Sequence, residues 1–239
     1  MSRPAPVRPP PRVILYWLPY QFKPEPYSSH AALLRIFDHP GNGQRVLDLG
    51  CAGGYLCELL AGRGYGVTGV DLPGTAPRPG FRFIEADLDQ GLPPLDGSFD
   101  TVVCADILEH LREPHHVLRQ VREVLAPTGV LVASLPNSGH LYFRLTVLSG
   151  RFPRHVKGLF DRTHLHFYTW DGWCELFQQC GFRIARIEPT GTPVGLRFPR
   201  LAQSPPVRAA EWISYQLARL RKQLFAYQFV VIARPENEP

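Results

Sequence analysis

Two aspartates, a run of glycines and a set of histidines are the residues of this 239-residue chain best suited to chemistry. Asp48 precedes Gly50, Gly53 and Gly54 in the stretch VLDLGCAGGYL, residues 46–56, and Asp71 closes the stretch VTGVD, residues 67–71. Glycines so closely spaced carry an entropic cost that a ligand pressed against bare backbone would offset. The carboxylates decide what kind of ligand that is. A pyrophosphate would be repelled by an acid at the end of the strand. A dinucleotide fingerprint also needs its third glycine where Tyr55 stands, so that the helix can approach the strand closely. A carboxylate suits a ligand that carries positive charge.

The elements that position these residues follow from periodicity. Short β-rich runs occur at 45–50, 66–71, 81–86, 99–104, 129–135, 182–188 and 227–233, with helical stretches at 54–62, 114–125 and 170–180 between them. A further helix is expected over 29–37 with serine as its N-cap. Strands and helices alternating in this way predict an α/β fold, a doubly wound Rossmann-like sheet of about seven strands. Residues 1–12, rich in proline, read as a disordered tail, and 13–239 as a single domain. Two stretches interrupt its regular layer. Residues 136–169 gather aromatic, arginine and histidine side chains, and 189–224 contain prolines followed by an amphipathic helix over 209–224. Such long excursions usually form lids or binding walls.

Composition narrows the class. The chain has no apolar run near the roughly 20 residues of a spanning helix. Prolines occupy the place of a secretory apolar segment, and the five cysteines show no C-x-x-C pair, so a reduced, cytoplasmic protein is expected. The net charge is +5, nearly all of it arginine, since lysine occurs only at 23, 157 and 222. Together with 25 prolines this reads as a coding bias, and no basic run interleaved with aromatics suggests a nucleic-acid partner.

Five motifs in order resemble the class I S-adenosylmethionine-dependent methyltransferases, over residues 40–188 and the last strand. Asp48-Leu-Gly-Cys-Ala-Gly-Gly54 is similar to their glycine motif, Val67–Asp71 to the strand whose acid accepts the ribose hydroxyls, and Glu85-Ala-Asp87-Leu88 to the motif that addresses the adenine. Phe99–Asp106 with Ile-Leu-Glu-His110 resembles the fourth strand and its loop, and Val121–Val132 the helix, proline turn and fifth strand. The resemblance implies S-adenosyl-L-methionine as cofactor, a mostly parallel sheet with an antiparallel last strand, and cofactor contacts at Asp48, Gly50, Ala52, Gly54, Asp71, Leu72, Asp87, Leu88 and Ala105. Ala52 departs from the usual glycine and is expected to keep φ negative. The link from Asp71 to Phe81, with three prolines, leaves no room for the usual second helix. Features such as Leu135-Pro-Asn137, His140 and Asp161-Arg-Thr-His164 look most like the branch of the methionine-biosynthesis W protein and quinone-type O-methyltransferases.

For such a family the reaction is an in-line displacement, and a hydroxyl acceptor benefits from a base. Histidine has a suitable pKa. His164, His110 and His140 are the candidates. His164 is favoured, with Asp161 orienting it, and His166 is expected on the same side of an extended segment. No third group at recognisable spacing accompanies this pair, so no metal is expected. The stretch Cys104-Ala-Asp-Ile-Leu108 lacks the proline-rich aromatic clamp of DNA amino-methylating enzymes. The expected activity is therefore O-methylation of a small-molecule, glycan or lipid-linked acceptor. Transfer to carbon or nitrogen, and a non-catalytic cofactor-binding scaffold, are the rivals. The helix over 209–224 is a candidate for dimerisation, for peripheral membrane contact or for covering the sheet edge.

Overall fold

The computed structural model describes residues 25–75 and 77–236, so the expectation of a disordered tail over 1–12 lies outside the described residues. Seven strands form one sheet: β1 (Arg45–Leu49), β2 (Gly66–Asp71), β3 (Arg82–Glu85), β4 (Phe99–Ala105), β5 (Leu125–Pro136), β6 (Phe182–Pro189) and β7 (Gln228–Pro235). Their spatial order is β3-β2-β1-β4-β5-β7-β6. The first five pair in parallel, and β7 runs antiparallel to both β5 and β6. The order reverses between β1 and β4. That is the point where an open α/β sheet leaves a crevice at its carboxyl edge.

Alternation along the strands builds a core on each face. Leu47, Val102, Leu131 and Val231 join one cluster, while their neighbours Val46, Val103, Val132 and Val230 join the other. The helices bury one stripe each against these faces. In α3 (Pro114–Val124) Val117, Leu118 and Val121 are buried behind a proline-primed first turn. In α5 (Trp170–Gln179) the stripe is Trp173, Leu176 and Phe177, and Thr169 caps the helix by accepting from the Gly172 amide. On the other face lie α1 (Ser29–Ile36), capped by Ser28, and α2 (Tyr55–Gly62). The described residues between Asp71 and Arg82 contain no helix, as the three prolines predict.

The two excursions are more ordered than the sequence suggested. Between β5 and α5 lies a helix, α4 (Leu141–Leu148), whose Phe143 packs with Leu159 and Phe160 in a small satellite core. Between β6 and β7 lie a short α6 (Val194–Arg197), then α7 (Pro205–Leu220) and α8 (Lys222–Phe225). The helix expected over 209–224 thus begins four residues earlier, where Pro205 and Pro206 suit the first turn, and it breaks at Arg221 (φ −138°).

Asn137 locks the excursions together. Fully buried, it donates through Nδ2 to the carbonyls of Ala226 (2.8 Å) and Gln223 (3.2 Å) and accepts from the Gly139 amide (2.8 Å). Removing it would strand those groups at a cost of about 1–3 kcal/mol. Asn137→Ala should therefore lower unfolding stability by that amount in urea melts, and an unchanged midpoint would show that the lock does not hold the two segments.

Candidate functional site

The carboxyl ends of β1 and β2 carry the two acids. Asp71, buried at the end of β2, accepts the Ala52 amide through Oδ2 (2.6 Å) and the Leu72 amide through Oδ1 (2.7 Å). Each oxygen keeps a lone pair for a further donor. Asp48, 2% exposed, accepts from the Cys57 thiol (3.3 Å). The neighbouring Cys51 thiol, burial and the charge of Asp48 together hold Cys57 protonated, as a donor must be. Burial pushes the pKa of Asp48 up to about 7, against the lowering effect of Cys57, and the charge of Asp71 adds to the rise. Among the described residues neither acid forms an ion pair with a Lys or Arg. Two adjacent acids without a cationic partner fit a ligand that brings positive charge.

Gly50, Ala52 and Gly54 bend the intervening turn in the left-handed region, at φ 75°, 47° and 74°. The expectation of a negative φ at Ala52 is therefore corrected. For a residue with a Cβ that conformation costs about 1–2 kcal/mol. A hydrogen bond to a charged group contributes about 1.5–3 kcal/mol, so the bond from Ala52 to Asp71 can hold the turn in place. Gly54 packs so closely on Phe81 that a Cβ would lie 2.3 Å from the ring, while the side of Gly53 is open. The turn is thus braced from behind and bare in front. Of the other expected cofactor contacts, Leu72 follows Asp71 half-buried, and Ala105 ends β4 half-buried. Asp87 is exposed and accepts the Asp89 amide (3.0 Å), whereas Leu88 is turned into the core.

The next segment adjoins the turn directly. A Cβ on Gly50 would meet the Ile107 side chain at 2.8 Å, and Ile107 belongs to the chain that follows β4. That chain begins at Asp106, in a left-handed conformation (φ 53°), whose Oδ1 accepts from the Ser134 hydroxyl (2.6 Å) and the Gln228 amide (2.7 Å). It continues through a 3₁₀ turn, Leu108–His110, to Glu109, which is 1% exposed. The Glu109 carbonyl accepts the amides of Leu165 (2.9 Å) and His166 (3.3 Å), fixing the end of the first excursion over the turn. As a result Glu109 Oε1 lies 3.8 Å from His164 Nε2 and 4.0 Å from His110 Nε2, and the two imidazoles meet edge to face at 4.8 Å. One ligand atom from each of the three residues falls within 4.8 Å of the others.

Glu109 Oε1 stands beside His164, while Asp161 Oδ1 accepts from the amide and hydroxyl of Thr163 and the Asp161 charge still acts to raise the His164 pKa. His166 is bonded to the Leu111 carbonyl (2.9 Å) and stacks on Tyr168. His140 caps α4 through Nδ1 (3.2 Å to the Tyr142 amide), and burial lowers its pKa to about 4. The pair His164 and His166 gains no third ligand, since His166 is turned to the Leu111 carbonyl, whereas Glu109 and His110, which no sequence spacing links to His164, lie beside it. Burial, reinforced by His110, also lowers the pKa of His164 to about 4. His164 is therefore neutral near pH 7, able to accept a proton or to bind a cation.

Comparison with known proteins places the chain in a family. A family model described as a methyltransferase domain matches residues 22–187. The chain belongs to the class I S-adenosylmethionine-dependent methyltransferase family. A ubiquinone biosynthesis O-methyltransferase from Albidiferax ferrireducens is 32% identical over 47% of this chain and 49% of its own. One from Aeromonas salmonicida is 29% identical over 69% and 74%. The chain spans about half the length of the first curated relatives that it matches. Among solved structures, a SAM-dependent methyltransferase from Archaeoglobus fulgidus has a TM-score of 0.58 at 22% identity, covering 85% of this chain and 91% of that one. The magnesium protoporphyrin IX methyltransferase of Synechocystis, with bound SAH, has a TM-score of 0.52 at 22% identity, covering 87% and 80%.

The environment of Asp48 sets a pH dependence. A carboxyl whose pKa rises on folding, from 3.8 to about 7, adds stability that is complete below its unfolded pKa and is lost as pH climbs through its folded one. Thermal melts of the ligand-free protein should fall between about pH 4 and pH 7, and Asp48→Asn should flatten that fall. A variant with the same slope as the parent would exclude Asp48 as its source.

Proposed function

We propose that this chain binds S-adenosyl-L-methionine between Asp48, Asp71 and the Gly50–Gly54 turn, and methylates an oxygen of a small-molecule or lipid-linked acceptor held beside Glu109, His110 and His164. The observation that carries the reading is the packing of Gly50 against Ile107, which joins the glycine turn to the segment bearing the buried Glu109–His164 pair. When bound, the cofactor supplies an electrophilic methyl whose transfer releases a neutral thioether. The chain then has two tasks. Asp48 and Asp71 hold the donor, and the turn presents backbone without side chains in front of it. Glu109 orients His164, which takes the proton of the acceptor hydroxyl. The ubiquinone O-methyltransferase relatives support an oxygen acceptor. The five cysteines are all thiols, which supports a reducing, cytoplasmic setting.

One observation favours a second reading of the same residues. Glu109, His110 and His164 form a carboxylate and bis-imidazole set close enough to hold a divalent cation. A cation there would lower the pKa of the acceptor directly, and His164 would then serve as a ligand and not as the base.

Both readings are tested by single-turnover transfer of labelled methyl from saturating S-adenosylmethionine to a catechol probe. His164→Ala should cut turnover by on the order of 10²–10⁴ with donor affinity unchanged. Glu109→Gln should give a smaller loss. If the histidine acts alone, prior treatment with EDTA changes nothing. If it holds a cation, EDTA abolishes transfer and added divalent metal restores it. Full turnover in His164→Ala would refute both roles.

A further inference from the structure

We propose that the two excursions, residues 139–160 and 190–226, form a surface that docks on an anionic lipid bilayer. Among the described residues fifteen large apolar side chains are exposed, and fourteen of them lie in these two segments. On α4 the exposed Leu141, Leu145 and Leu148 recur at helical spacing, and on α7 so do Ile213, Leu217 and Leu220. The last residues of the two stripes, Leu148 and Leu220, are 84% and 78% exposed. Of its sixteen residues α7 buries only Val207, Glu211 and Ala218, so covering the sheet edge does not account for its outward face.

Charge is sorted in the same way. The two segments carry ten of the 26 basic residues and one of the 21 acidic ones. That acid, Glu211, is buried and accepts the Gly195 amide (2.8 Å). The rest of the chain is acidic on balance, with sixteen basic residues against twenty acidic. None of the ten basic residues is in an ion pair with a described residue. The net positive charge read from composition as a coding bias is thus concentrated on one part of the molecule.

Both segments leave the same edge of the sheet. Pro136 is paired with Gln228 and Pro189 with Phe229, so the end of β5, the end of β6 and the start of β7 lie together. Asn137 and a contact between His140 and Thr192 (3.5 Å) tie the segments to each other. Apolar side chains interleaved with arginines match the acyl boundary and headgroups of an anionic membrane. A second copy of the chain would set ten positive charges against ten. A nucleic acid would offer no partner to the leucine stripes. No helix among the described residues is long and apolar enough to cross a membrane, so the contact is peripheral. The surface lies at the edge that holds the proposed acceptor site, but docking does not depend on methyl transfer.

The test is co-sedimentation of the full chain with phosphatidylcholine vesicles, with and without phosphatidylglycerol. Partition should be at least about tenfold stronger with phosphatidylglycerol and should weaken as salt is raised. The exposed double variants Leu148→Ser/Leu220→Ser and Arg151→Glu/Arg200→Glu should each lower it about tenfold, with melting temperature and donor affinity unchanged. Three results would overturn the proposal. They are no binding to anionic vesicles at low salt, binding indifferent to the leucine variant, and a dimer in sedimentation velocity that the leucine variant dissociates.

Discussion

The bond from the Ala52 amide to Asp71 is the constraint on which the site depends. It joins the end of β2 to the turn after β1, and it sustains a left-handed alanine that the sequence alone would not favour. With that turn fixed, Gly50 rests on Ile107, and the chain after β4 is drawn to within one side chain of the glycine turn. The nearness of the glycine turn to the segment that bears Glu109 follows from this packing. Asp71 therefore both shapes the turn and offers its remaining lone pairs to a ligand.

Burial gives the site its electrostatic character. Asp48 is raised to about 7 and His164 lowered to about 4 chiefly because neither charged form is well solvated. An acid pair short of positive charge flanks the turn on which Ile107 packs, and the segment that follows Ile107 brings an acid beside the neutral His164. The first suits a cationic donor, and the second an acceptor that must lose a proton.

Much of this was legible in the sequence, because the relevant signals are local. The alternation of Val46 to Leu49, the glycine turn and the terminal Asp71 define a strand, a turn and a ligand class without any tertiary information. Asp106 and Glu109 fall within a motif that gives them no role of their own. Their importance comes from burial and from partners at Gln228 and His164, which no spacing encodes. His140 was a candidate base because the cap that it forms depends on where α4 begins. Ala52 misled for a similar reason, since its φ is set by a carboxylate nineteen residues away. The positive charge was visible as a total, but its concentration on two excursions became evident only when they were found on the same sheet edge.

The central claim is that Asp48, Asp71 and the turn between them form a donor site for a cationic nucleoside. Isothermal titration of the parent chain and of Asp71→Ala with S-adenosylmethionine, and of the parent with NAD, tests it most directly. The account predicts saturable binding of S-adenosylmethionine, none of NAD, and an affinity loss in the variant of about 2–3 kcal/mol for the charge-assisted bonds removed. Undiminished affinity in a folded Asp71→Ala, or heat from NAD and none from S-adenosylmethionine, would contradict it.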